Sequence, residues 1–281
     1  YMAVLTSLDT EPPVFTSQAT FTAAENQTAI GTVTATDADS DSVTFTVSGS
    51  ELEITSAGVL TFASAPDYET KSSYTATVTA TDGTNSTDQS ITVSVTDIDD
   101  VAPEFSSSAS FSAAENQTSI GTVIATDVDT SDSSISFTVS GSELSITSAG
   151  VLTFASAPDY ETKSSYTATV TATDGTNSTD QSVTVSVTDV DDVAPVFTSS
   201  ATFSAAENQT AIDTVTATDV DTDNSAISFS VSGSELSITS AGVLTFASSP
   251  DYETKTSYSA TVTATDGANS TKQDITVNVT N

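Results

Sequence analysis

Apolar and polar positions alternate along most of this chain. In one stretch Tyr166, Ala168, Val170 and Ala172 interleave with Thr167, Thr169, Thr171 and Thr173. A period of two turns one face of a strand to a core and the other to solvent. No stretch follows the 3.6-residue period of an amphipathic helix. Between positions 101 and 192 the alternation predicts strands near 105–113, 120–126, 135–140, 144–146, 151–155, 165–173 and 182–188. Seven short strands in about 92 residues predict a β-sandwich. Ser148-Ala149-Gly150, between two apolar runs, reads as a hairpin turn in which Gly150 takes a positive φ.

The pattern repeats. Residues 55–90 recur unchanged at 147–182, and with a few substitutions at 239–274. AENQT begins at Ala24, Ala114 and Ala206, and DYETK at Asp67, Asp159 and Asp251. The first copy lacks two residues in a polar Ser/Asp stretch, where insertions are tolerated. The expected fold is all-β, with three tandem seven-strand Greek-key, Ig-like β-sandwiches at 12–100, 101–192 and 193–281 and a strand or linker segment at 1–11.

Charge narrows the chemistry. Acidic residues outnumber basic ones by 38 to 4, for a net charge of -34, and the chain has no Arg, His, Cys or Trp. Such a surface repels phosphate backbones and anionic lipid, so no nucleic-acid partner is expected. No apolar run approaches the ~20 residues of a membrane helix, so no membrane insertion is expected of this segment. With no signal-peptide pattern after Tyr1, the residues read as a mature or excised segment. Without Cys, something other than disulfides must stiffen secreted domains. Paired carboxylates can hydrolyse glycosides, but here the pairs recur in every copy and no Trp is present to stack a sugar ring. The expectation is therefore not an enzyme.

The acids cluster at strand ends and between copies, in AEN, DYE, ATD and the DxDDxAPxF segments at 97–105 and 189–197. Packing such groups together costs several kcal/mol or more in partly buried surroundings unless a cation neutralises them. Carboxylates and carbonyls, with no imidazole or thiolate, favour Ca²⁺, which accepts six to eight irregularly placed oxygens. The runs beginning at Asp37 and Asp219 imitate an EF-hand start, but Ser42 or Asn224 stands where Gly is needed and Ser48 or Ser230 where Glu is needed. Three sequons, at Asn85, Asn177 and Asn269, match by chance in so Ser/Thr-rich a chain and receive no role.

The order xEN, DxD, DYE, ATDG, DxDDxAPxF resembles the cadherin repeat, whose motifs run PEN, DxD, LDRE or LDYE, AxD and DxNDNxPxF. The resemblance covers all three copies, in a style similar to bacterial cadherin-like domains of adhesins or fibres. It implies about three Ca²⁺ in each complete interdomain linker, stiffening an end-to-end rod. The first linker would then use Glu25, Asp67, Glu69, Asp97, Asp99, Asp100, Asp127, Asp129 and Asp174. The second would use Glu115, Asp159, Glu161, Asp189, Asp191, Asp192, Asp219, Asp221 and Asp266. Asp99 and Asp191 stand where the family has Asn, and Val101 and Val193 where it has a second Asn that donates a carbonyl. At the ends, Asp37, Asp39 and Asp82 meet only Asp9 of the preceding linker acids, while Glu207, Asp251 and Glu253 form a half-site without a following linker.

The implied function is a calcium-rigidified structural and adhesive rod, extracellular or at a prokaryotic cell surface, with calcium affinity near the ~10⁻⁴ to 10⁻³ M of extracellular modules. A different reading is a calcium-dependent carbohydrate-binding module that takes surface polysaccharide. Residues 1–8 align with a last strand, putting Tyr1, Ala3 and Leu5 at inward positions. They read either as a strand added to a neighbouring copy in a head-to-tail array or as a flexible tail.

Overall fold

The structure, a computed structural model, describes residues 10–281, so Asp9 and the strand expected at 1–8 lie outside the described residues. Among the described residues no helix is long and apolar enough to cross a membrane. The first repeat contains β1 Val14–Phe15, β2 Thr20–Ala24, β3 Ala29–Thr32, β4 Ala35–Thr36, β5 Thr44–Val47, β6 Leu52–Ile54, β7 Val59–Phe62, β8 Ser73–Thr81 and β9 Ser86–Thr96. One sheet has the order β2-β9-β8-β5 and the facing sheet β3-β7-β6, and β1 pairs with β4. Only β2 and β9 run parallel, from Thr20 opposite Thr92 to Ala24 opposite Thr96. The register therefore delivers the end of β2 beside the end of β9, where the chain leaves the sandwich.

Alternation builds the core. On β9, Ile91, Val93 and Val95 are buried while Ser90 and Ser94 are exposed. They pack with Leu60, Phe62, Val78 and Ala80 from both sheets and with Val33 from the segment between β3 and β4. Each fully buried aliphatic or aromatic side chain contributes about 1.5–3 kcal/mol. Phe62 meets Tyr74 edge to face at 5.0 Å, which closes the core below β8.

One close approach fixes the turn before β7. Val33 N–H donates to Gly58 O at 2.8 Å. Gly58 has φ +87°, and a Cβ there would lie 2.1 Å from Val33 O. Only glycine suits both the conformation and the contact. Gly150 has φ +83°, as its place in the expected turn requires.

The third repeat repeats the plan. Its sheets are Thr202–Ala206, Ser270–Thr280, Ser257–Thr265, Ser228–Val231 and Ala211–Thr214, Val243–Phe246, Leu236–Ile238, with a Val196–Phe197 to Ala217–Thr218 pair. In the second, Ser110–Ala114 runs parallel to 184–188, and Val151–Phe154 lies between Ser119–Thr122 and Leu144–Ile146. The protein is thus all-β, with three repeats of one sandwich plan.

By contacts the chain divides into two compact units. One takes the chain through Ser107 with Ile124–Phe137 and Thr171–Asp180; the other takes Ser108–Val123, Thr138–Val170 and Gln181–Asn281. Every described carboxylate assigned above to the first linker falls in the first unit, and every one assigned to the second linker in the second.

The strands differ from expectation at their ends. The strand expected at 105–113 is interrupted, because Ser106 and Ser107 N–H both donate to Ile124 O and pull the chain out of register. The one expected at 120–126 splits into Ser119–Thr122 and Ala125–Thr126 for the complementary reason. The strand expected from 182 begins at Ser178. A short 3-10 turn, Asp132–Ser134, precedes Ser136–Val139.

Candidate metal-binding linkers

The end of β2 presents Glu25, which is only 2% exposed. Its Oε2 accepts Tyr68 N–H at 2.8 Å and its Oε1 accepts Ile98 N–H at 2.7 Å. One carboxylate thus ties the DYE turn to the linker. Asn26 follows in a left-handed conformation, φ +60°, which asparagine tolerates better than most residues. Its N–H donates to Pro66 O, and its Nδ2 to Asp100 Oδ2. The DYE turn is closed by Thr70 N–H on Asp67 Oδ1 at 3.0 Å and by Lys71 N–H on Asp67 O at 2.9 Å.

These supports crowd like charges. Oxygens of Glu25, Glu69 and Asp100 lie within 4.8 Å of one another. Partial desolvation, with the charges of Glu25, Asp97 and Asp67 adding to it, holds the Glu69 carboxyl above its ordinary range against a backbone hydrogen bond.

On the other side of the linker, Asp129 Oδ2 accepts Asp100 N–H at 2.9 Å and Val101 N–H at 2.8 Å. Asp127 Oδ1 accepts the N–H groups of Asp129 and Thr130. Asp174 Oδ1 accepts those of Thr176 and Asn177. In each of the three, one oxygen is held by backbone donors and the other is sealed from solvent with no hydrogen-bond partner. Burial, then the contact with Asp129, pushes the Asp127 carboxyl up. For Asp129 burial works the same way, but the Asp127 contact and the N–H donors of Val101 and Asp100 outweigh it and hold the carboxyl down.

Asp99 is gripped from the second repeat. Its Oδ2 accepts the Thr176 hydroxyl at 2.7 Å, and its Oδ1 and backbone O both accept Asn177 Nδ2 at 3.3 Å. Asn177 was assigned no role by sequence. The signal for it is its place three residues after Asp174, in a turn whose N–H groups converge on that carboxylate.

The second linker repeats the arrangement. Glu115, 4% exposed, accepts Tyr160 N–H at 2.7 Å and Val190 N–H at 2.8 Å. Asn116 donates to Asp192, and Asn269 to Asp191. Asp221 Oδ2 accepts the N–H groups of Asp192 and Val193. Oxygens of Glu115, Asp159 and Glu161 converge within 4.8 Å. Glu161 is raised from the same causes as Glu69, and Asp189 is one of the charges that raise it. Ala268 replaces Thr176, so Asp191 lacks the hydroxyl donor that Asp99 has.

Toward the chain ends the half-sites keep the local geometry. Asp39 Oδ2 accepts Thr10 and Glu11 N–H, and one oxygen each of Asp37 and Asp82 is buried without a partner. Glu207, Asp251 and Glu253 form a third convergent carboxylate cluster.

Eight buried carboxylate oxygens have no partner among the described residues, on Asp37, Asp82, Asp127, Asp129, Asp174, Asp219, Asp221 and Asp266. All eight belong to the expected ligand set. A buried unpaired charge is costly, and a cation with oxygen preference fits these donors. The outer partners that orient them are backbone N–H groups, as ordered metal sites require.

Fold and site together define a protein of tandem β-sandwiches joined by carboxylate-lined linkers. The chain belongs to the cadherin domain family, whose model matches residues 108–188 and 201–280. It is 36% identical over 194 residues to protocadherin Fat 4 of Mus musculus, covering 61% of this chain and 4% of that protein. To the protocadherin-like wing polarity protein stan of Drosophila melanogaster it is 35% identical over 199 residues, covering 61% of this chain and 6% of that protein. Mouse cadherin-23 EC22-24 shares the fold, with TM-score 0.76 at 24% identity, over 96% of this chain and 99% of that one. The chain therefore spans a small fraction of the curated relatives it matches.

Proposed function

We propose that this chain is a segment of a calcium-stiffened adhesive rod, extracellular or at a cell surface, with domains at 12–100, 101–192 and 193–281. The observation that carries the reading is the set of eight sealed, unpartnered Asp oxygens within the expected ligand set. About three Ca²⁺ per linker would supply the positive charge that these oxygens and the Glu clusters lack.

The protein's own groups do the rest. Glu25 and Glu115 tie the turn before each linker to the linker itself. Asp129 and Asp221 hold linker N–H groups from the following repeat. Bending at a linker must therefore pull shared carboxylates apart. Near-identical repeats suit a role that scales with length, and further repeats or other copies of the chain are the fitting partners.

Small-angle X-ray scattering, titrated from chelator to millimolar Ca²⁺ at fixed ionic strength with a Mg²⁺ control, tests the mechanism. A calcium-specific change to the profile of one stiff particle is expected. An unchanged profile would remove the stiffening mechanism.

A further inference from the structure

Three of the chain's four lysines occupy one position, the last residue of DYETK, and make one constellation. Lys71 Nζ contacts Glu51 Oε1 at 2.5 Å and sits 4.4 Å from the centroid of the Tyr74 ring. Tyr74 in turn meets Phe62 of the core. Lys163 does the same with Glu143, Tyr166 and Phe154, and Lys255 with Glu235, Tyr258 and Phe246. In every repeat the backbone N–H of this residue also donates at 2.9 Å to the backbone O of the first Asp of DYETK.

A backbone bond therefore closes the turn that carries two of the expected ligands, Asp67 and Glu69 in the first repeat, and the lysine side chain at its end anchors it to the core through an aromatic ring. A Glu partner alone would make an exposed ion pair worth little. The ring fixes where the ammonium sits, which a salt bridge on a flexible surface does not. The third repeat builds the same staple at a cluster that serves neither complete linker, so the device belongs to the turn and not to the linker.

We propose that Lys71 and Lys163 are positioning residues for the cation sites of the first and second linkers. They hold the DYE turn in its ligating shape against the mutual repulsion of its carboxylates. This inference rests on the calcium reading above. Its sign separates it from simple electrostatics. A lysine is a positive charge near a cation site, so on charge alone its removal would tighten calcium binding. Loss of the staple weakens it.

The experiment is calorimetric titration of the full chain with Ca²⁺, with each linker read separately by silencing the other through Asp219→Asn or Asp127→Asn. Lys71→Met should weaken first-linker binding about three- to tenfold. Lys163→Met should do so only at the second linker, Lys255→Met at neither, and Lys71→Arg should restore binding. Tyr74→Leu, which leaves the charge in place, should reproduce the loss, with circular dichroism checking the fold. Tighter or unchanged binding in Lys71→Met, or equal weakening by Lys255→Met, would overturn the proposal. No calcium binding by the unaltered chain would instead sink the linker reading, and this inference with it.

Discussion

Asp127→Asn separates the role of the carboxylate in folding from its role toward a cation. Asp127 Oδ1 accepts the N–H groups of Asp129 and Thr130, and an Asn Oδ1 would keep both bonds. Oδ2, sealed and unpartnered, becomes an NH₂ donor beside Asp129, whose Oδ1 is also buried and unpartnered. Two unsatisfied acceptors are replaced by a donor and an acceptor. Leaving a buried polar group unpaired costs about 1–3 kcal/mol, so in chelator the variant should be more stable by about 1–2 kcal/mol. For a repeat of this size that is a rise of about 4–8 °C in melting midpoint per kcal/mol. In millimolar Ca²⁺ the same change removes an expected ligand oxygen and its charge, so the variant should melt below the unaltered chain. The assay is thermal unfolding by circular dichroism in both media, with Asp219→Asn as the matched change at the second linker. Destabilisation in chelator, or the same shift in both media, would refute the reasoning.

Other outcomes follow from the same geometry. Glu69, Glu161, Asp127 and Asp219 are raised, mainly by burial, so the folded metal-free chain takes up protons before the unfolded chain does. Its stability should therefore rise as pH falls from neutral to about 5, and fall again once Asp82 and Asp223, held low by backbone donors, are protonated. With saturating Ca²⁺ the first descent should be destabilising, and denaturation midpoints at the two pH values with and without chelator check both signs. Gly58→Ala should destabilise the first repeat by at least about 1–3 kcal/mol, since φ +87° and the 2.1 Å approach to Val33 O both oppose a side chain. An unchanged melting curve would contradict that close approach. Thr176→Ala should speed amide exchange in the first linker about two- to fivefold in chelator, and Ala268→Thr should slow it in the second, because one hydroxyl bond to Asp99 distinguishes them.

The central strands were legible because one face of each is apolar. The strand expected at 165–173 is found as Ser165–Thr173. The breaks after Phe105 and before Ala125 carry no Gly or Pro, because two N–H groups sharing one carbonyl make them. The extra residues at the start of Ser178–Thr188 are hydroxyl, carboxylate and amide side chains on a two-faced polar stretch, where alternation has no contrast. Among site residues, recurring carboxylates were visible as charge that needed neutralising. Asn26, Asn177 and Thr176 were not, since an amide or hydroxyl near an acid is ordinary in so polar a chain and only the fold brings it to the linker. The other contacts that position the expected ligands come from backbone N–H groups, which no side-chain pattern encodes.

The most direct test is equilibrium dialysis of the full chain against buffered Ca²⁺, with Mg²⁺ in excess, beside Asp127→Asn, Asp219→Asn and the double variant. Saturable calcium binding is predicted, with a separate fraction lost in each single variant and both linker fractions lost together in the double one. Binding that is absent in the unaltered chain, or undiminished in the double variant, would contradict the assignment of these linkers as calcium sites.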